Sequence, residues 1–564
     1  MKRKFITLSL LLGVTLSMTA RERTVAEMKQ AALGVIGRSV VGKKCAPLNA
    51  EALQVLDQKT QLTVLGTQEG GFAVIANDDS FSPVLGYSTN ASDGDVAPGF
   101  LWWLGEMNAT LEQALANGET LAPVKADAEY KASVPQLLTS TWGQSAPYNN
   151  LTPVYPGDNG DEHYVVGCVA TAMAQIMRYH EYPEHGEGSR RYRFAPGGDV
   201  AAVTLEANFG ETTYDWDNML DDYSGSYTDA QAQAAALLSF HCGVSVKMMY
   251  TKDGSGSYST DAVDALRNYF SYHSGIKHFN RDYFPRKEWM NLVYRELSDG
   301  CPILYGGQSS SGGHSFVLDG YNEEGQVHVN WGWNGKQDGY FDIGSLNGFS
   351  SLQSIVQMRR ADDTRFTQPY TSNWGFTSAI TATSSNGTVS VTGGTAYQLD
   401  TDPFTGSIHL VALNMETGAE TDLGTVVADI TKKLYGKALN FGTVKFATSV
   451  LPEGKYRIFF ASQVEGESKF QPVRAKETVR NSYILTISGD QVNLKADNDA
   501  NWTAIESVAI ADESRSHADT TVRVYDTTGR LVYYAPASLY SDNDIPAKGV
   551  LIVKQGTQTK KILK

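Results

Sequence analysis

The N-terminal part of the chain, residues 21–132, mixes helical and strand patterning. An alanine-rich helical run, MKQAALGVIG, is followed by two short apolar runs around a glycine-containing turn, QLTVLGTQEGGFAVIANDD. The run PGFLWWLGEMNATLEQALANG predicts an amphipathic helix that stops at Gly118, since glycine commonly follows the last helical turn. The next stretch, LAPVKADAEYKASVP, has no periodicity. It predicts an exposed linker in which Lys125 and Lys131 are candidate cleavage points.

Residues 133–362 change from helical patterning to strand patterning. Apolar residues at helical spacing predict helices at 168–180, 229–241 and 260–272. Shorter apolar runs predict strands at CPILYGG, HSFVLDGY and QVHVNWGW. Helices that precede strands in this way indicate an α+β domain.

From residue 363 the chain consists of short runs rich in Thr, Ser, Gly and Val, separated by turn signals, as in ITATSSNGTVSVTGG and GKYRIFFASQV. This pattern predicts a β-sandwich over residues 363–490. Residues 491–564 contain VRVYDTTGRLVYY and GVLIVKQGTQTKKILK, which predict a smaller β domain with a basic end. The expected architecture is an α+β domain with an α+β segment before it and all-β domains after it.

The first twenty residues, MKRKFITLSLLLGVTLSMTA, place Lys2, Arg3 and Lys4 before an apolar run that ends in small residues. This layout is typical of a secretory signal peptide, here residues 1–20, and the run is too short to span a membrane comfortably. The 564-residue chain has a formal net charge of −15. A nucleic-acid partner is therefore not expected, because binding phosphates needs a basic surface. We expect an exported protein without a transmembrane segment.

The candidate nucleophile is Cys168, which follows Gly167 at the predicted start of helix 168–180. Its neighbours on the helical wheel are Thr171, Gln175 and Tyr179, at the margin of the apolar face. A thiol at a helix N-terminus lies near unpaired N–H groups and the positive end of the helix dipole, and both favour the thiolate. Gly167 removes bulk beside the sulfur and leaves backbone N–H groups open to an oxyanion.

The other cysteines and the histidine pair are weaker candidates. The chain has 4 cysteines in all, too few for a disulfide framework. Cys242 and Cys301 lie in apolar surroundings typical of buried structural thiols, and Cys45 lies before the predicted linker. The histidine pair in YHEYPEH, His180 and His185, is interrupted by Pro183 and has no matching ligand cluster. We therefore expect no metal site and no cofactor.

A nucleophilic thiol needs a base and a group that orients the base. His314 follows Gly313 in GGHSFVLDGY, where the glycine pair exposes the ring as a strand begins. The next strand carries Asn330 and Trp331. If the loop between the two strands has four residues, Phe316 pairs with Trp331 and Trp331 lies on the His314 face. A shift of the strand register by one residue, such as a bulge, places Asn330 on that face instead. Either side chain can touch the ring, and we expect the Asn330 amide to orient it.

An oxyanion donor is expected in the loop STWGQSAPYNNLTP. The side-chain N–H of Gln144 in this loop can join the backbone N–H of Cys168 to form the hole.

Together these motifs resemble the streptopain-like family of cysteine peptidases, which have a papain-like fold. The matching stretches, TWGQSAPYN, GCVATAMAQIMRYHEYP, GGHSFVLDGY and HVNWGWNGKQDGYF, follow the family order over roughly residues 133–345. The resemblance implies a role for each candidate: Cys168 as nucleophile, His314 as general base and acid, Gln144 as oxyanion donor, Asn330 as orienter and Trp331 as shield.

The resemblance extends to both flanks of the predicted catalytic domain, residues 133–362. Residues 21–132, with GGFAVIANDDSFSPVLGYS, resemble the family's inhibitory prosegment, which covers the active site until the linker is cut. Residues 491–564 resemble a type IX secretion sorting domain, which implies export or attachment at the cell surface. The resemblance thus implies a secreted cysteine endopeptidase made as a zymogen, with protein or peptide substrates and its own prosegment as inhibitor.

Two other functions stay open at this stage. The first is a surface-associated binding protein that acts through its β-sandwich. The second is a papain-fold amidase or transferase, because a fold does not determine the substrate.

Overall fold

The structure is a computed structural model of the chain. It describes these residues: 21–36, 49–67, 70–90, 95–157, 160–195, 202–252, 254–309, 312–346, 352–368, 373–476, 478–498 and 502, and the backbone of 521–526, 531–536, 550–555 and 558–563. The predicted signal peptide and Cys45 lie outside these residues. The chain divides into two units, Met1–Trp502 and Thr503–Lys564.

The first unit contains six α-helices among its described residues. They are α1 (Val25–Ile36), α2 (Pro98–Asn117), α3 (Cys168–His180), α4 (Asp229–Ser245), α5 (Ser259–Tyr269) and α6 (Arg286–Ser298). Short 3-10 helices lie at Phe209–Glu211, Trp216–Asn218, Arg281–Tyr283 and Thr448–Val450. The prediction for α3 is confirmed at both ends. The predicted stop of α2 is also confirmed, because Gly118 adopts the left-handed conformation with φ 68° and its N–H caps the last turn.

The strands that precede residue 358 belong mainly to one sheet. They are β1 (Gln54–Gln58), β2 (Leu62–Gly66), β3 (Phe72–Ala76), β4 (Val84–Ser88), β5 (Val154–Gly157), β6 (Gly160–His163), β7 (Arg190–Phe194), β8 (Val203–Ala207), β9 (His278–Asn280), β10 (Ile303–Ser309), β11 (Gly312–Tyr321), β12 (Val327–Asn330), β13 (Gly339–Phe341) and β14 (Ser354–Gln357). Two pairs, β5–β6 and β7–β8, are separate hairpins.

The ten-stranded sheet has the order β1-β2-β3-β4-β13-β12-β11-β10-β14-β9. Strands β1 to β4 come from the N-terminal segment (residues 21–132), and β4 pairs with β13 of the following domain. The segment therefore extends the sheet of the following α+β domain, which the linear sequence does not reveal. Every residue of β2 and β3 is buried, as expected for strands in the middle of a covered sheet.

Helix α3 is the core helix of the α+β domain. Every residue from Val169 to Met177 is buried, and the helix packs on β10 and β11 of the sheet. Its core is shared with residues of α4 and α5. The helix is therefore fixed along its length, and its N-terminal residue is held at one place on the sheet.

The predicted linker has no helix or strand from residue 119 to residue 133. The side chains of Lys125 and Lys131 are exposed. Regular pairing resumes at Val134, whose backbone exchanges two hydrogen bonds with Tyr321, both of 2.8 Å.

The expected all-β region follows residue 373. Its strands are β15 (Trp374–Phe376), β16 (Thr381–Ser385), β17 (Thr388–Thr392), β18 (Thr395–Gln398), β19 (Phe404–Asn414), β20 (Glu420–Lys433), β21 (Ala438–Asn440), β22 (Thr443–Ala447), β23 (Gly454–Val464), β24 (Gln471–Pro472), β25 (Arg474–Ala475), β26 (Ser482–Ser488) and β27 (Gln491–Ala496). They form three sheets that contribute to one apolar core. The sandwich arrangement of these sheets stays a prediction.

The predicted domain boundary at residue 490 is wrong. Gly489 and Asp490 form the turn of the β26–β27 hairpin, and the two strands are paired along their length. The turn residues resembled a boundary because turns and linkers share the same composition. The break between units falls after Trp502. We call residues 373–498 the β region.

The second unit contains β28 (Thr521–Asp526), β29 (Leu531–Pro536), β30 (Val550–Gln555) and β31 (Gln558–Leu563). These strands form one four-stranded sheet in the order β29-β28-β30-β31. The described residues of this unit are thus all β, and the sorting domain proposed for residues 491–564 stays a prediction. None of the helices in the described residues is both long enough and apolar enough to cross a membrane.

Candidate active site

Cys168 is the first residue of α3, and its side chain is half-buried. The backbone N–H groups of Val169 and Ser315 and the Ser315 hydroxyl each act to lower the pKa of the thiol. These groups favour the thiolate, but burial outweighs them and raises the pKa of the Cys168 thiol above its ordinary value. In this form of the protein the thiol is therefore protonated at neutral pH.

Gly167 is required by the backbone at the start of α3. Its φ of +94° lies in the region that side chains disfavour, and an added Cβ would lie 2.7 Å from the sulfur of Met248 and 2.9 Å from the carbonyl oxygen of Ser255. The space that Gly167 leaves is thus occupied by the neighbouring chain. Gly313 has no such constraint, because an added Cβ there would make only ordinary contacts.

His314 lies on β11, one residue before the Ser315 that contacts the Cys168 sulfur. Successive side chains along a strand point to opposite faces, so Ser315 faces α3 and His314 leaves the sheet on the other face. Burial lowers the pKa of the His314 imidazole. The structure therefore brings the two predicted residues onto adjacent elements, with both groups neutral and on opposite sides of β11.

The face of β11 that carries His314 is covered by α2 of the N-terminal segment. Gly307 is paired directly opposite His314, and an added Cβ there would lie 2.2 Å from the indole of Trp102. Trp102 also packs on Phe316, with ring centroids 5.9 Å apart. Directly opposed residues share a face, so Trp102 lies beside the His314 position.

Trp331 lies on the same face as His314. Its ring packs on Phe316 with centroids 4.7 Å apart. The indole N–H donates to the carbonyl oxygen of Gln337 at 2.9 Å, and the backbone N–H donates to Oδ1 of Asp338 at 2.9 Å. The predicted shield is therefore fixed in orientation by the turn that follows β12.

The register of β11 against β12 determines whether Asn330 or Trp331 lies on the His314 face. Two irregularities in this pairing compensate for each other. The loop between Tyr321 and Val327 has one residue more than the four assumed, and a bulge lies between Leu318 and Gly320. The two changes cancel, so Val317 opposes Asn330. Asn330 thus faces α3, away from His314.

The prediction that Asn330 orients His314 is wrong for this structure. Its Oδ1 accepts from Nε2 of Gln175 and from the Gly332 N–H, both at 3.0 Å. Its Nδ2 donates to the Ser140 carbonyl oxygen at 2.8 Å and to Oε1 of Gln175 at 3.1 Å. The amide is completely buried and its hydrogen-bonding groups are occupied. The sequence could not show this, because the partner residues are distant along the chain.

Gln144 lies beside the residues that precede the nucleophile. Its carbonyl oxygen accepts from the Val166 N–H at 3.0 Å, two residues before Cys168. The side chain is half-exposed, and its amide makes no hydrogen bond with another described residue. The amide is therefore available to a ligand, although its role as an oxyanion donor stays a prediction.

A buried acidic network that the sequence reasoning missed lies below Trp331. Nδ1 of His328 is 2.6 Å from Oδ1 of Asp319, and this carboxylate raises the pKa of His328 although burial acts in the opposite direction. Asp338 is also buried, and burial raises its pKa to about 7. Its Oδ2 has no hydrogen-bond partner among the described residues. The only sequence signal was an acidic residue in the NGKQDGYF turn.

The remaining described cysteines, Cys242 and Cys301, are buried free thiols. Burial raises the pKa of Cys301 to about 12 and that of Cys242 further. This agrees with the expectation that neither is reactive.

Comparison with known proteins identifies relatives over the region that contains these residues. The model described as the Peptidase C10 family matches residues 142–341. Streptopain of Streptococcus pyogenes is 33% identical over 321 residues, which are 53% of this chain and 80% of streptopain. The thiol protease/hemagglutinin PrtT of Porphyromonas gingivalis is 30% identical over 386 residues, which are 63% of this chain and 44% of PrtT.

A solved structure adds evidence on the N-terminal segment. A fragment of prointerpain A from Prevotella intermedia is 42% identical, with a TM-score of 0.50, and the match covers 54% of this chain and 97% of the fragment. These relatives are cysteine peptidases, and prointerpain is a proform. This chain therefore belongs to the peptidase C10 family, the streptopain-like cysteine peptidases.

Proposed function

We propose that this chain is a secreted cysteine endopeptidase, made as a zymogen, that cleaves peptide bonds through an acyl-enzyme on Cys168. The observation that carries the proposal is the position of the Cys168 thiol. It lies at the N-terminus of α3 and against Ser315, the residue after His314. Membership in the C10 family supports the same reaction class.

The proposed chemistry uses Cys168 and His314 as a pair. His314 takes the thiol proton, and the sulfur forms a bond to the peptide carbonyl carbon. The resulting oxyanion accepts from the Cys168 N–H and the Gln144 amide. His314 then gives its proton to the amine as the C–N bond breaks. In the second half His314 takes a proton from water, which attacks the thioester and releases the acid and the thiol.

The N-terminal segment is proposed to act as the inhibitory prosegment. Its helix α2 covers the face of β11 that carries His314, with Trp102 beside that position. Its strand β4 is paired with β13 of the catalytic sheet. The protonated thiol and the neutral imidazole support an inactive state of this covered form. Removal of α2 would uncover the face of β11 that carries His314.

Maturation is proposed to occur by cleavage between Lys125 and Ser133. This stretch has no regular structure, and residues 131–133 are exposed. A cut there leaves the Val134–Tyr321 pairing intact. N-terminal sequencing of the active enzyme tests this directly, and a start within α3 would contradict the scheme.

The decisive experiment compares wild type with Cys168→Ala in the full chain under reducing conditions, with a denatured protein as substrate. We expect Cys168→Ala to lose cleavage while keeping the circular dichroism spectrum of wild type. Cys242→Ala is the matched control, because this thiol is buried in the core. It should remain active. Substantial cleavage by Cys168→Ala would contradict the proposal. Products from a mixed peptide library separate an endopeptidase from an amidase or transferase.

The proposal that the protein is exported rests on the signal-peptide pattern of residues 1–20 and on the resemblance of residues 491–564 to a sorting domain. We propose that the enzyme is released or held at the cell surface. Cell fractionation with antibodies against the β region tests this, and retention of the full chain inside the cell would contradict it.

A further inference from the structure

A buried amide in the middle of α3, Gln175, has no role in the chemistry described so far. Its side chain is completely buried. Burying an amide costs free energy unless its polar groups are hydrogen-bonded. The hydrogen bonds of this side chain reach two other segments of the catalytic domain.

The Gln175 amide makes four hydrogen bonds. Its Oε1 accepts from the Trp142 N–H at 3.0 Å, from the Ser140 hydroxyl at 3.2 Å and from Nδ2 of Asn330 at 3.1 Å. Its Nε2 donates to Oδ1 of Asn330 at 3.0 Å. Gln175 and Asn330 therefore form a mutual amide pair that also holds residues 140–142.

Backbone groups determine the orientation of both amides. The Trp142 N–H can only donate, so the oxygen of Gln175 must face it. The Ser140 carbonyl can only accept, so the nitrogen of Asn330 must face it. The Gly332 N–H donates to the Asn330 oxygen and requires the same arrangement. Rotating either amide by 180° would break these bonds.

The amide pair joins the three segments that carry the proposed active-site groups. Gln175 is seven residues after Cys168, about two turns along the same helix. Trp142 is two residues before Gln144, and Asn330 directly precedes Trp331. The amide pair therefore helps to fix the separation of the nucleophile from the oxyanion loop, together with the hydrogen bond from the Val166 N–H to the Gln144 carbonyl oxygen.

We propose that Gln175 is a positioning residue for peptide hydrolysis. It holds the Gln144 loop at the distance from Cys168 at which the developing oxyanion meets both donors. Gln175 does not touch the substrate and acts through Gln144, with Asn330 as its partner. The inference rests on the proposed function and adds a residue to it.

The test uses the enzyme matured from the full chain, as wild type and as the variant Gln175→Met. This substitution keeps the length of the side chain and removes its polar groups. We expect kcat to fall by about 10- to 100-fold with KM nearly unchanged, because misplacing an oxyanion donor affects the transition state. Inhibition by a peptide aldehyde should weaken by a similar factor, because the hemithioacetal places its oxygen in the hole. Alkylation of Cys168 by iodoacetamide should keep its rate, because it needs no oxyanion donor.

Gln357→Met is the matched control. Gln357 is also a buried glutamine whose amide is hydrogen-bonded, to Glu296 and to the Lys277 N–H, but it lies on β14. This variant should lower the melting temperature without changing kcat. An equal loss of kcat in both variants would overturn the positioning role.

A double-mutant cycle with Gln144→Ala tests the route of the effect. If Gln175 acts through Gln144, the double variant should be little worse than Gln144→Ala alone. If the losses of kcat in the two single variants multiply in the double variant, the proposal is overturned. An unchanged kcat in folded Gln175→Met would also overturn it. If that variant does not fold, Gln175→Glu replaces it, because a protonated carboxyl can still donate to Asn330.

The activity of Gln175→Glu relative to wild type should then rise as the pH falls, and a flat ratio would overturn the proposal. Failure of this inference is separate from failure of the proposed function. Activity that survives Cys168→Ala contradicts the function itself. A dependence on Cys168 combined with wild-type kcat in Gln175→Met contradicts only the positioning role.

Discussion

At the residue scale, the two proposed catalytic groups lie on adjacent elements, and burial disfavours the charged form of each. Burial keeps the Cys168 thiol protonated even though the N–H groups of Val169 and Ser315 and the Ser315 hydroxyl favour the thiolate. Burial also keeps His314 neutral. An ion pair between thiolate and imidazolium therefore requires a change in the surroundings of these groups.

We predict that iodoacetamide labels Cys168 at least about tenfold more slowly in the uncut chain than in the matured enzyme at neutral pH, because the thiolate is the reacting species. The measurement is mass spectrometry of the labelled peptide over time, with Cys45 replaced by Ser. Cys242 should stay unlabelled in both forms, since it is buried. Equal rates for Cys168 in the two forms would contradict the prediction.

Asp338 makes the stability of the protein depend on pH. Its pKa is raised to about 7 by burial, so the folded protein keeps a proton that an unfolded carboxyl releases near pH 4. The free energy of unfolding therefore decreases as the pH rises from about 4 to about 7. The raised pKa of His328 acts in the same direction, because its contribution is lost as the pH rises through the folded value.

We expect Asp338→Asn to reduce this dependence. The amide keeps an acceptor for the Trp331 N–H and carries no charge at any pH. The variant should be more stable than wild type at pH 8 by about 1–3 kcal/mol, with a smaller difference at pH 4.5. Urea unfolding followed by tryptophan fluorescence at both pH values measures this. Part of the pH dependence of the free energy of unfolding should remain because of His328. An unchanged pH dependence would exclude Asp338 as its source.

At the element scale, the contact between α2 and the sheet at β10 and β11 is made by aromatic rings and two glycines. Trp102 packs on Phe316 and on the open position at Gly307. Gly99 lies against Trp331, where an added Cβ would be 2.8 Å from the indole. The glycines bring helix and sheet together, and the rings bury the area that holds α2 in place.

We predict that Trp102→Ala weakens the binding of the N-terminal segment to the sheet by about 3 kcal/mol, the usual order for removing a buried tryptophan. The uncut chain should then become active and process itself faster than wild type, as measured by the lag before peptide cleavage begins. Leu101→Ala is the control, because Leu101 is on the same helix and 50% exposed. An unchanged lag in Trp102→Ala would show that α2 does not restrain the enzyme.

At the scale of the whole first unit, the β region is attached to the catalytic domain by complementary charges. Arg474 donates to both carboxylate oxygens of Glu288, at 2.7 and 3.2 Å, and its guanidinium lies 4.1 Å from the centre of the Phe284 ring. Lys476 is 3.1 Å from Asp282. Pairs of the opposite polarity, Arg267–Asp402 and Lys277–Asp400, lie at another part of the contact.

The Arg474–Glu288 pair is the buried one, with side chains 2% and 4% exposed. Removing one partner leaves a buried charge, so Arg474→Met should destabilise the unit by about 3–5 kcal/mol. The double variant with Glu288→Gln should recover part of this loss. Thermal unfolding of the single and double variants measures the effect. Equal stability of Arg474→Met and wild type would mean that the pair does not hold the contact.

Much of the fold was predictable because local patterns determined it. The bounds of α3, the stop of α2 at Gly118 and the change to an all-β texture after residue 363 follow from periodicity, glycine chemistry and composition. The boundary at residue 490 was mispredicted for the same reason, because a hairpin turn has the local signal of a linker.

The short motifs along the chain indicated the candidates Cys168, His314 and Gln144, because they carry the residue types that this chemistry needs, and their resemblance to a peptidase family indicated the reaction class. The pairing of Asn330 with Gln175 on α3 became visible in the folded chain alone, since a longer loop and a bulge cancel in the register. The tertiary fold also buries Asp338, which raises its pKa to about 7, and joins β4 to the catalytic sheet. These features depend on contacts between segments distant in sequence, which local patterns do not encode.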